Sequence, residues 1–210
     1  MEPDLGSALV LFGVWFGFLV VAGLPLRYLG FSILLSLVIL AASWQFALKG
    51  YQKDRILAVF NPRSDPLGVN YNVIQSKVAI GSSGIFGKGF GQGAMVQLGF
   101  LPAAPTDFAL SAFIEEWGVL GGLTVLLLFL LLLARIAAIG LSAESNFPAF
   151  IALGAIVLFS VQFAINVGSA LGFLPVIGVT FPFVSYGGSS LLTNCLLVGT
   201  IHGIASRSVS

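Results

Sequence analysis

Charged residues are scarce in this chain: only 8% of its 210 residues are Asp, Glu, Lys or Arg, whereas 58% are apolar. A water-soluble domain usually carries about 25% charged residues, so the composition excludes an ordinary soluble globule. The formal net charge is +1, which provides no basic field for nucleic acid. The single cysteine, Cys195, and the single histidine, His202, exclude an intramolecular disulfide and a zinc site built from these residue types.

Long apolar runs take the place of the missing charge. A helix needs about 20 mostly apolar residues to cross about 30 Å of hydrocarbon. The sequence predicts an all-α, polytopic membrane bundle, a single membrane domain over residues 1–210, with about five transmembrane helices at 7–24, 28–48, 108–136, 147–167 and 183–205. Because Glu2 and Asp4 stand where a cleaved signal peptide would be cationic, we expect the first span to persist in the mature protein.

One long polar stretch, residues 49–106, lies between the second and third spans. It contains six of the nine basic residues, and we expect short helices on the membrane surface there rather than strands. The other loops offer three arginines. Charge alone does not orient the bundle, since the positive-inside rule weakens for loops of about 60 residues.

Asp107 lies in the most informative stretch, LPAAPTDFALSAFIEEWGVLGG. We predict that Thr106 caps a helix continuing to about Ile136, which at 1.5 Å per residue is longer than the apolar slab. Asp107 would then stand about 15 Å beyond the apolar run that starts near Trp117. At that height the carboxylate could meet a phosphorylated or glycosylated lipid head, or it could simply help to cap the helix.

A continuous helix would place Glu115, Gly118 and Gly122 on the face of Asp107, and Glu116 on the opposite face. Asp107 and Glu115 would be about 12 Å apart along the axis. Glycosidase carboxylates are separated by roughly 5 to 9.5 Å. A two-carboxylate hydrolase built on this helix is therefore disfavoured.

Lys77 and Lys88 flank a glycine-rich stretch, QSKVAIGSSGIFGKGFGQG. Ser82 and Gly89 break the P-loop pattern, and the alternating glycines do not fit the dinucleotide-binding fingerprint. The two best candidate motifs for nucleotide binding are therefore excluded. The backbone amides and two ammonium groups could receive an anion. The alternative, which composition alone favours, is a solvated loop whose lysines touch headgroups nonspecifically.

Helix-breaking prolines and hydroxyl side chains cluster at the start of the predicted fifth span, where Pro175 and Pro182 precede the run SYGGSS at 185–190. Small residues let helices approach closely in lipid, and Gly118/Gly122 and Gly199/Gly203 have the spacing of small residues four apart that is typical of such contacts. Packing is therefore the default interpretation of these small residues. Inside the fourth span, Gln162 and Asn166 should face protein or a water-lined cleft, because an unpaired amide is costly in lipid.

Four strings, taken in order, resemble the RodA/FtsW/SpoVE (SEDS) family: EPDLGSALV, RILAVFNPRSDPLGVNYNVIQSKVAIGSSGIFGKGFGQG, LGFLPAAPTDFALSAFIEEWGVLGG and LPVIGVTFPFVSYGGSSLL. Within the family, SDPLG, QSK and LGFLP are more similar to RodA, the elongation member, than to FtsW. The resemblance covers nearly the whole chain. Since family members usually have about ten spans, it implies that the chain matches only their C-terminal part.

The resemblance implies a peptidoglycan glycosyltransferase, a lipid II polymerase of cell-wall elongation, rod-shape determination or cell division. Its expected partners are lipid II, the nascent glycan strand, a class B penicillin-binding protein and the membrane, with no nucleic acid. The family's location implies a multi-pass protein of the bacterial cytoplasmic membrane, with the long loop extracytoplasmic and the C-terminus cytoplasmic.

The resemblance also implies roles for particular residues. The family's essential aspartate matches Asp107, which would be the catalytic base, although Pro105 and Ala103 replace the histidine and acidic residue common in the motif. Lys77 and Lys88 would be cations for the departing diphosphate, and Mg²⁺ or Mn²⁺ could assist, with the metal ligands unknown. The matching substrate-binding positions are Gln75, Ser76, Lys77, Lys88, Glu115, Glu116, Ser185, Tyr186, Gly187, Gly188 and Ser189. One tension is that a helix N-terminus lowers a carboxyl pKa, whereas a base works best near the working pH, although desolvation by lipid or substrate could offset this lowering.

Two other functions remain open. A flippase or transporter of lipid-linked precursors should carry polar side chains through the bundle, yet apart from Gln162 and Asn166 the span centres offer hydroxyls at most. The other alternative is an inactive half-protein, a partial chain acting as a scaffold for a cell-wall synthase complex.

Overall fold

The computed structural model describes residues 5–21, 23–46, 48–61 and 65–207. Over these ranges the chain forms eight helices and no strand, which confirms the predicted all-α membrane architecture. The helices are α1 (Leu5–Val21), α2 (Leu26–Phe46), α3 (Gly50–Phe60), α4 (Tyr71–Ser82), α5 (Ala94–Gln97), α6 (Ala109–Leu141), α7 (Asn146–Ala170) and α8 (Gly188–Arg207).

Four of these helices, α2, α6, α7 and α8, are long and apolar enough to cross a membrane. Helix α1 is also apolar but has only 17 described residues. The short helices α3, α4 and α5 fall within the polar stretch 49–106, as expected. Helix α8 begins at Gly188 rather than near residue 183 because the preceding residues form turns.

Helices α6 and α7 form the centre of the bundle. The ring of Phe129 on α6 stacks on that of Phe163 on α7, with centroids 4.6 Å apart. Burial of such apolar side chains holds the helices at contact distance. The buried side chains of this core are Phe129, Ile136, Ala152, Ala155, Phe159 and Ile201.

Helix α1 runs antiparallel to α7. Gly13 faces Val161, and Gly17 faces Val157 one turn further on. Because neither glycine carries a side chain, the two helices approach closely, as small residues allow in lipid. No residue of α2 is buried.

The bundle has two distinct ends. The loop end comprises the start of α6, the helices α3 to α5 and the segment 171–187. The turn end comprises the 142–145 turn, the end of α8 and the start of α2, because α1 ends where the antiparallel α7 begins.

Helix α6 differs from the expected single helix capped by Thr106. It begins at Ala109, and Phe108 occupies the N-cap position without a side-chain cap. The Thr106 hydroxyl instead bonds the carbonyl oxygen of Ala103 within a turn, at 3.4 Å. The helix also breaks at Gly118, which adopts φ 74° and ψ −176°, a conformation open essentially only to glycine. The expected common face from Asp107 to residue 122 is therefore wrong, because Asp107 precedes the helix and residue 122 follows the break.

Candidate functional site

Asp107 lies in the turn before α6, at the loop end, where it is partly buried. Burial raises the pKa of its carboxyl above the ordinary value of 3.8, and this outweighs the lowering by the Arg55 charge and the Thr106 hydroxyl. Desolvation thus outweighs the lowering of this pKa that a helix N-terminus would cause, because the carboxyl lies outside the helix and is partly buried.

Asn166 on α7 fixes the backbone at this carboxylate. It is fully buried, and its Nδ2 donates to the carbonyl oxygens of Asp107 at 3.1 Å and Val179 at 2.9 Å. One amide thus joins the Asp107 turn to the segment that precedes α8. This confirms the expectation that Asn166 faces protein.

Ser185 forms a second link between the same two segments. Its hydroxyl donates to the carbonyl oxygen of Thr106 at 2.6 Å and accepts from the backbone of Phe181 at 2.9 Å. The backbone N–H of Tyr186 donates to the carbonyl oxygen of Pro105 at 2.7 Å. A residue without an N–H fits at position 105, since its carbonyl makes the contact. The SYGGSS run therefore anchors the Asp107 turn.

Arg55 is the residue at this site that sequence reasoning missed. Its Nη1 donates to the carbonyl oxygen of Val176 at 3.3 Å, and its charge acts on the carboxyl of Asp107. The sequence signal was weak: a basic residue beside an apolar run in the predicted surface stretch. Only the folded chain brings α3 to the Asp107 turn.

Lys88 and Glu115 bond to each other. Lys88 Nζ lies 2.6 Å from Glu115 Oε1 and also donates to Ser82 Oγ at 2.8 Å. The Glu115 side chain is 0% exposed and that of Lys88 28%, so the carboxylate is desolvated and needs its ammonium partner. Oε1 also accepts from the backbone of Met95 at 3.2 Å, whereas Oε2 is buried without a hydrogen bond in the described chain.

The glycine-rich loop pairs with α6 through its backbone on both sides of the helix break. Gly87 and Gly118 lie face to face, and a Cβ on either would overlap the backbone of the other segment. The break frees helical amides and carbonyls, and the loop satisfies them. The four hydrogen bonds run from Lys88 N to Glu115 O (3.0 Å), Gly89 N to Glu116 O (3.0 Å), Val119 N to Gly84 O (3.1 Å) and Leu120 N to Ile85 O (3.2 Å).

The QSK string lies on α4, which packs against α6 and α7. The Ser76 hydroxyl is buried, donates to the carbonyl oxygen of Ala170 at 2.8 Å and accepts from Ser111 at 2.7 Å. These bonds make it a packing contact. Lys77 is exposed, and its ammonium group lies against Gly172, just beyond the end of α7.

The remaining candidate positions are less enclosed. Gln75, Glu116 and Gly187 are half-buried, whereas Tyr186, Gly188 and Ser189 are exposed, with Gly188 starting α8. The structure thus brings Asp107 together with the SYGGSS run, and Lys88 together with Glu115.

A resident metal would need several oxygen, imidazole or thiolate ligands. Within the described residues no group of three His, Cys, Asp or Glu side chains is placed to hold one. Asp107 alone does not make such a set, so the described residues do not form a site for a resident Mg²⁺ or Mn²⁺.

The family model described as "Cell cycle protein", FtsW/RodA/SpoVE, matches residues 1–209. The chain is 39% identical over 205 residues to peptidoglycan glycosyltransferase MrdB of Escherichia coli (strain K12), covering 97% of this chain and 55% of MrdB. It is 38% identical over 208 residues to stage V sporulation protein E of Bacillus subtilis (strain 168), covering 99% of this chain and 56% of that protein.

A solved structure gives the same result. A chain from "Structural coordination of polymerization and crosslinking by a peptidoglycan synthase complex" superposes with a TM-score of 0.74 at 34% identity, covering 99% of this chain and 57% of that one. The chain thus spans about half the length of the curated relatives it matches. Its sequence and its fold lead to one assignment: the chain belongs to the FtsW/RodA/SpoVE family.

Proposed function

We propose that this chain carries the catalytic face of a peptidoglycan glycosyltransferase that polymerises lipid II, with Asp107 as the general base. The observation that carries the proposal is a partly buried carboxylate of raised pKa, fixed at the loop end by Asn166 and Ser185. The name of the relative MrdB, a peptidoglycan glycosyltransferase, supports the same chemistry.

The proposed reaction is an inverting displacement at a sugar carbon. The acceptor hydroxyl oxygen forms a bond to the carbon that carries the diphosphate, and the bond from that carbon to the diphosphate oxygen breaks. The diphosphate leaves with the electron pair, and the Asp107 carboxylate takes the hydroxyl proton. Desolvation of Asp107 favours this role, because a base works best when its pKa approaches the working pH.

Cations near the base would stabilise the departing diphosphate. Arg55 acts electrostatically on Asp107, and Lys77 is exposed at the same end of the bundle, so these two are the better placed cations. Lys88 is already bonded to Glu115. We assign Lys88 and Glu115 to holding the glycine-rich loop against α6, and Ser185 to anchoring the Asp107 turn. The rim of the proposed substrate groove is assigned to Gln75, Glu116, Tyr186, Gly187, Gly188 and Ser189.

The proposed setting is the bacterial cytoplasmic membrane, with the loop end and its Asp107 outside and the turn end inside. The partners would be lipid II, the growing glycan strand and a class B penicillin-binding protein. A synthase complex in the description of the related structure supports a partner. The SDPLG and QSK strings favour cell-wall elongation, although the division and sporulation relatives are as similar in sequence.

No described feature favours a flippase. The one buried charged side chain among the described residues is Glu115, and it is paired at the loop end. A translocation path for a charged headgroup would need polar groups continuing to the turn end. There the buried core residues are apolar.

The test is glycan synthesis from fluorescent lipid II in proteoliposomes, comparing the wild-type chain with Asp107→Asn. Loss of a general base should lower the rate by at least about 100-fold. Glu144→Gln is the matched control, because it makes the same change from carboxylate to amide on an exposed residue in the turn of the opposite end.

A second arm places the chain in the corresponding segment of MrdB and repeats the comparison, which supplies the part of the relative that this chain does not match. Polymerisation that persists in Asp107→Asn would refute the assignment of the base. Translocation of lipid II without polymerisation, or no activity in either arm, would refute the transferase in favour of a flippase or a scaffold.

A further inference from the structure

A cavity lies at the turn end, between α6 and α8, at the opposite end of the bundle from Asp107. It has a volume of about 280 Å³. Ile136 and Ile201 are buried beside it, and Val198 adds further apolar surface. Three polar side chains also line it: the guanidinium of Arg135, the imidazole of His202 and the hydroxyl of Ser206, which donates to the carbonyl oxygen of Gly203 at 3.0 Å.

Arg135 is an unusual residue for this position. It lies within the membrane-spanning helix α6, six residues before its end at Leu141, and it is exposed. The only ion pair within the described part of the chain joins Lys88 and Glu115, so the guanidinium has no carboxylate partner there. A charged group at the edge of the hydrocarbon is costly unless a counter-charge or the headgroup layer satisfies it.

The lining of the cavity suits a phosphate as the counter-charge of Arg135. The cavity joins a guanidinium and an imidazole, both hydrogen-bond donors, to a continuous apolar surface. Arginine forms paired hydrogen bonds to phosphate oxygens. A phosphate attached to hydrocarbon chains has this combination of chemistries, whereas water, a free anion or an apolar helix has only part of it.

We propose that this cavity binds one anionic phospholipid. Its phosphate contacts Arg135 and His202, and an acyl chain lies in the groove formed by Leu132 and Val198. Basic pockets between transmembrane helices are a recurrent kind of phospholipid site.

This site is independent of the proposed glycosyltransferase activity. It shares no residue with the Asp107 turn and lies at the other end of α6. Its lipid would be a structural or regulatory ligand rather than a reactant, so lipid binding here does not depend on whether Asp107 is the general base.

The experiment is native mass spectrometry of the full chain released from nanodiscs of phosphatidylcholine with added phosphatidylglycerol. The wild type should retain one phosphatidylglycerol in preference to phosphatidylcholine. An arginine or lysine near an anionic lipid contributes about fivefold in affinity, so Arg135→Gln should lose about fivefold and the double variant Arg135→Gln/His202→Gln at least as much.

Three variants serve as controls. Arg27→Gln removes the same charge at the same end but outside the cavity, and it should keep the bound lipid. Arg135→Lys keeps the charge and should retain most of the affinity. Val198→Phe fills the groove without touching the charges, and it should weaken binding if an acyl chain lies there. Circular dichroism in detergent shows that each variant is folded.

Equal retention of phosphatidylglycerol by the wild type and the folded double variant would overturn the proposal. So would equal retention of the two phospholipids by the wild type. Displacement of the bound lipid by equimolar undecaprenyl phosphate would also overturn it, and would assign the cavity to a prenyl carrier.

Discussion

Replacing Gly118 by alanine should detach the glycine-rich loop from α6. The new Cβ would overlap the backbone of Ile85 and Gly87, which no side-chain rotation can relieve, and position 118 has a positive φ. Strain of this backbone conformation costs about 1 to 3 kcal/mol. Four backbone hydrogen bonds would be lost if the loop moves away, at about 1 kcal/mol each. We expect a total loss of stability of about 3 to 5 kcal/mol, because partial relaxation of α6 recovers some of these contributions.

The assay combines unfolding in detergent with hydrogen exchange of the amides of Lys88, Gly89, Val119 and Leu120. All four amides should lose protection together in Gly118→Ala, because they form one backbone junction. The loss should also expose the buried Glu115 carboxylate to water.

Three further glycine variants separate the causes. Gly87→Ala has both the positive φ and the overlap and should behave like Gly118→Ala. Gly84→Ala has a positive φ but nothing within 4 Å of its Cβ, so it should show strain alone, about 1 to 2 kcal/mol. Gly81→Ala lies in a helix with nothing within 4 Å and should be neutral or stabilising. Equal stability and equal protection in all four variants would refute the argument.

Three other predictions concern the Asp107 turn. Asp107→Asn should stabilise the fold at pH 7. Because the carboxyl pKa is raised in the folded state, its stability contribution is present below the unfolded-state pKa and is lost as pH rises through the folded-state pKa. An asparagine carries no charge and so avoids this loss. The gain should vanish near pH 3, and an unfolding midpoint that responds equally to pH in both proteins would contradict it. Arg55→Gln should raise the pKa of Asp107 further and move the acid limb of the pH–activity profile to higher pH. Lys53→Gln is the control and should leave that limb in place, because the Lys53 ammonium group lies over Trp44. An acid limb that does not move in Arg55→Gln would contradict the electrostatic effect of Arg55 on Asp107. Ser185→Ala should lower stability by about 1 to 3 kcal/mol, since two backbone groups lose their buried partner; no change in the unfolding midpoint would refute that role.

Much of the fold could be predicted from the sequence because the bilayer imposes a simple length rule. Apolar runs of about 20 residues gave the positions of α2, α6, α7 and α8 to within a few residues. Their ends were harder to predict. Helix α8 begins at Gly188 because Ser185 bonds the Asp107 turn, a contact between distant parts of the chain that no local pattern contains.

The break at Gly118 could not be predicted for a similar reason. A glycine four residues before Gly122 is typical of close helix packing, and that interpretation assumed a continuous helix. The break is stable because Gly87 fits against it and the loop satisfies the freed backbone groups. Gly87 lies 31 residues before Gly118 in the chain, so the sequence around Gly118 alone is typical of a helix.

The candidate site was predicted in part. Asp107 was identified from its place beside a long apolar run and from the family resemblance. Its partner Arg55 was not, because proximity across 52 residues depends on how α3 packs. Lys88 and Glu115 were both predicted as substrate contacts, and their mutual ion pair was not anticipated. Sequence patterns identify reactive groups better than they identify which of those groups satisfy one another.

The break at Gly118 divides α6 into a short first part, residues 109–117, which we call the platform, and a longer apolar part, which we call the anchor. From residue 119 to Leu141 the anchor has 23 residues, a length of about 34 Å, which matches the hydrocarbon thickness. The lipid-facing side of that anchor can therefore accept other apolar residues without moving the platform. The orientation of the platform, and of the Asp107 turn before it, is set by the glycine-rich loop and not by the anchor.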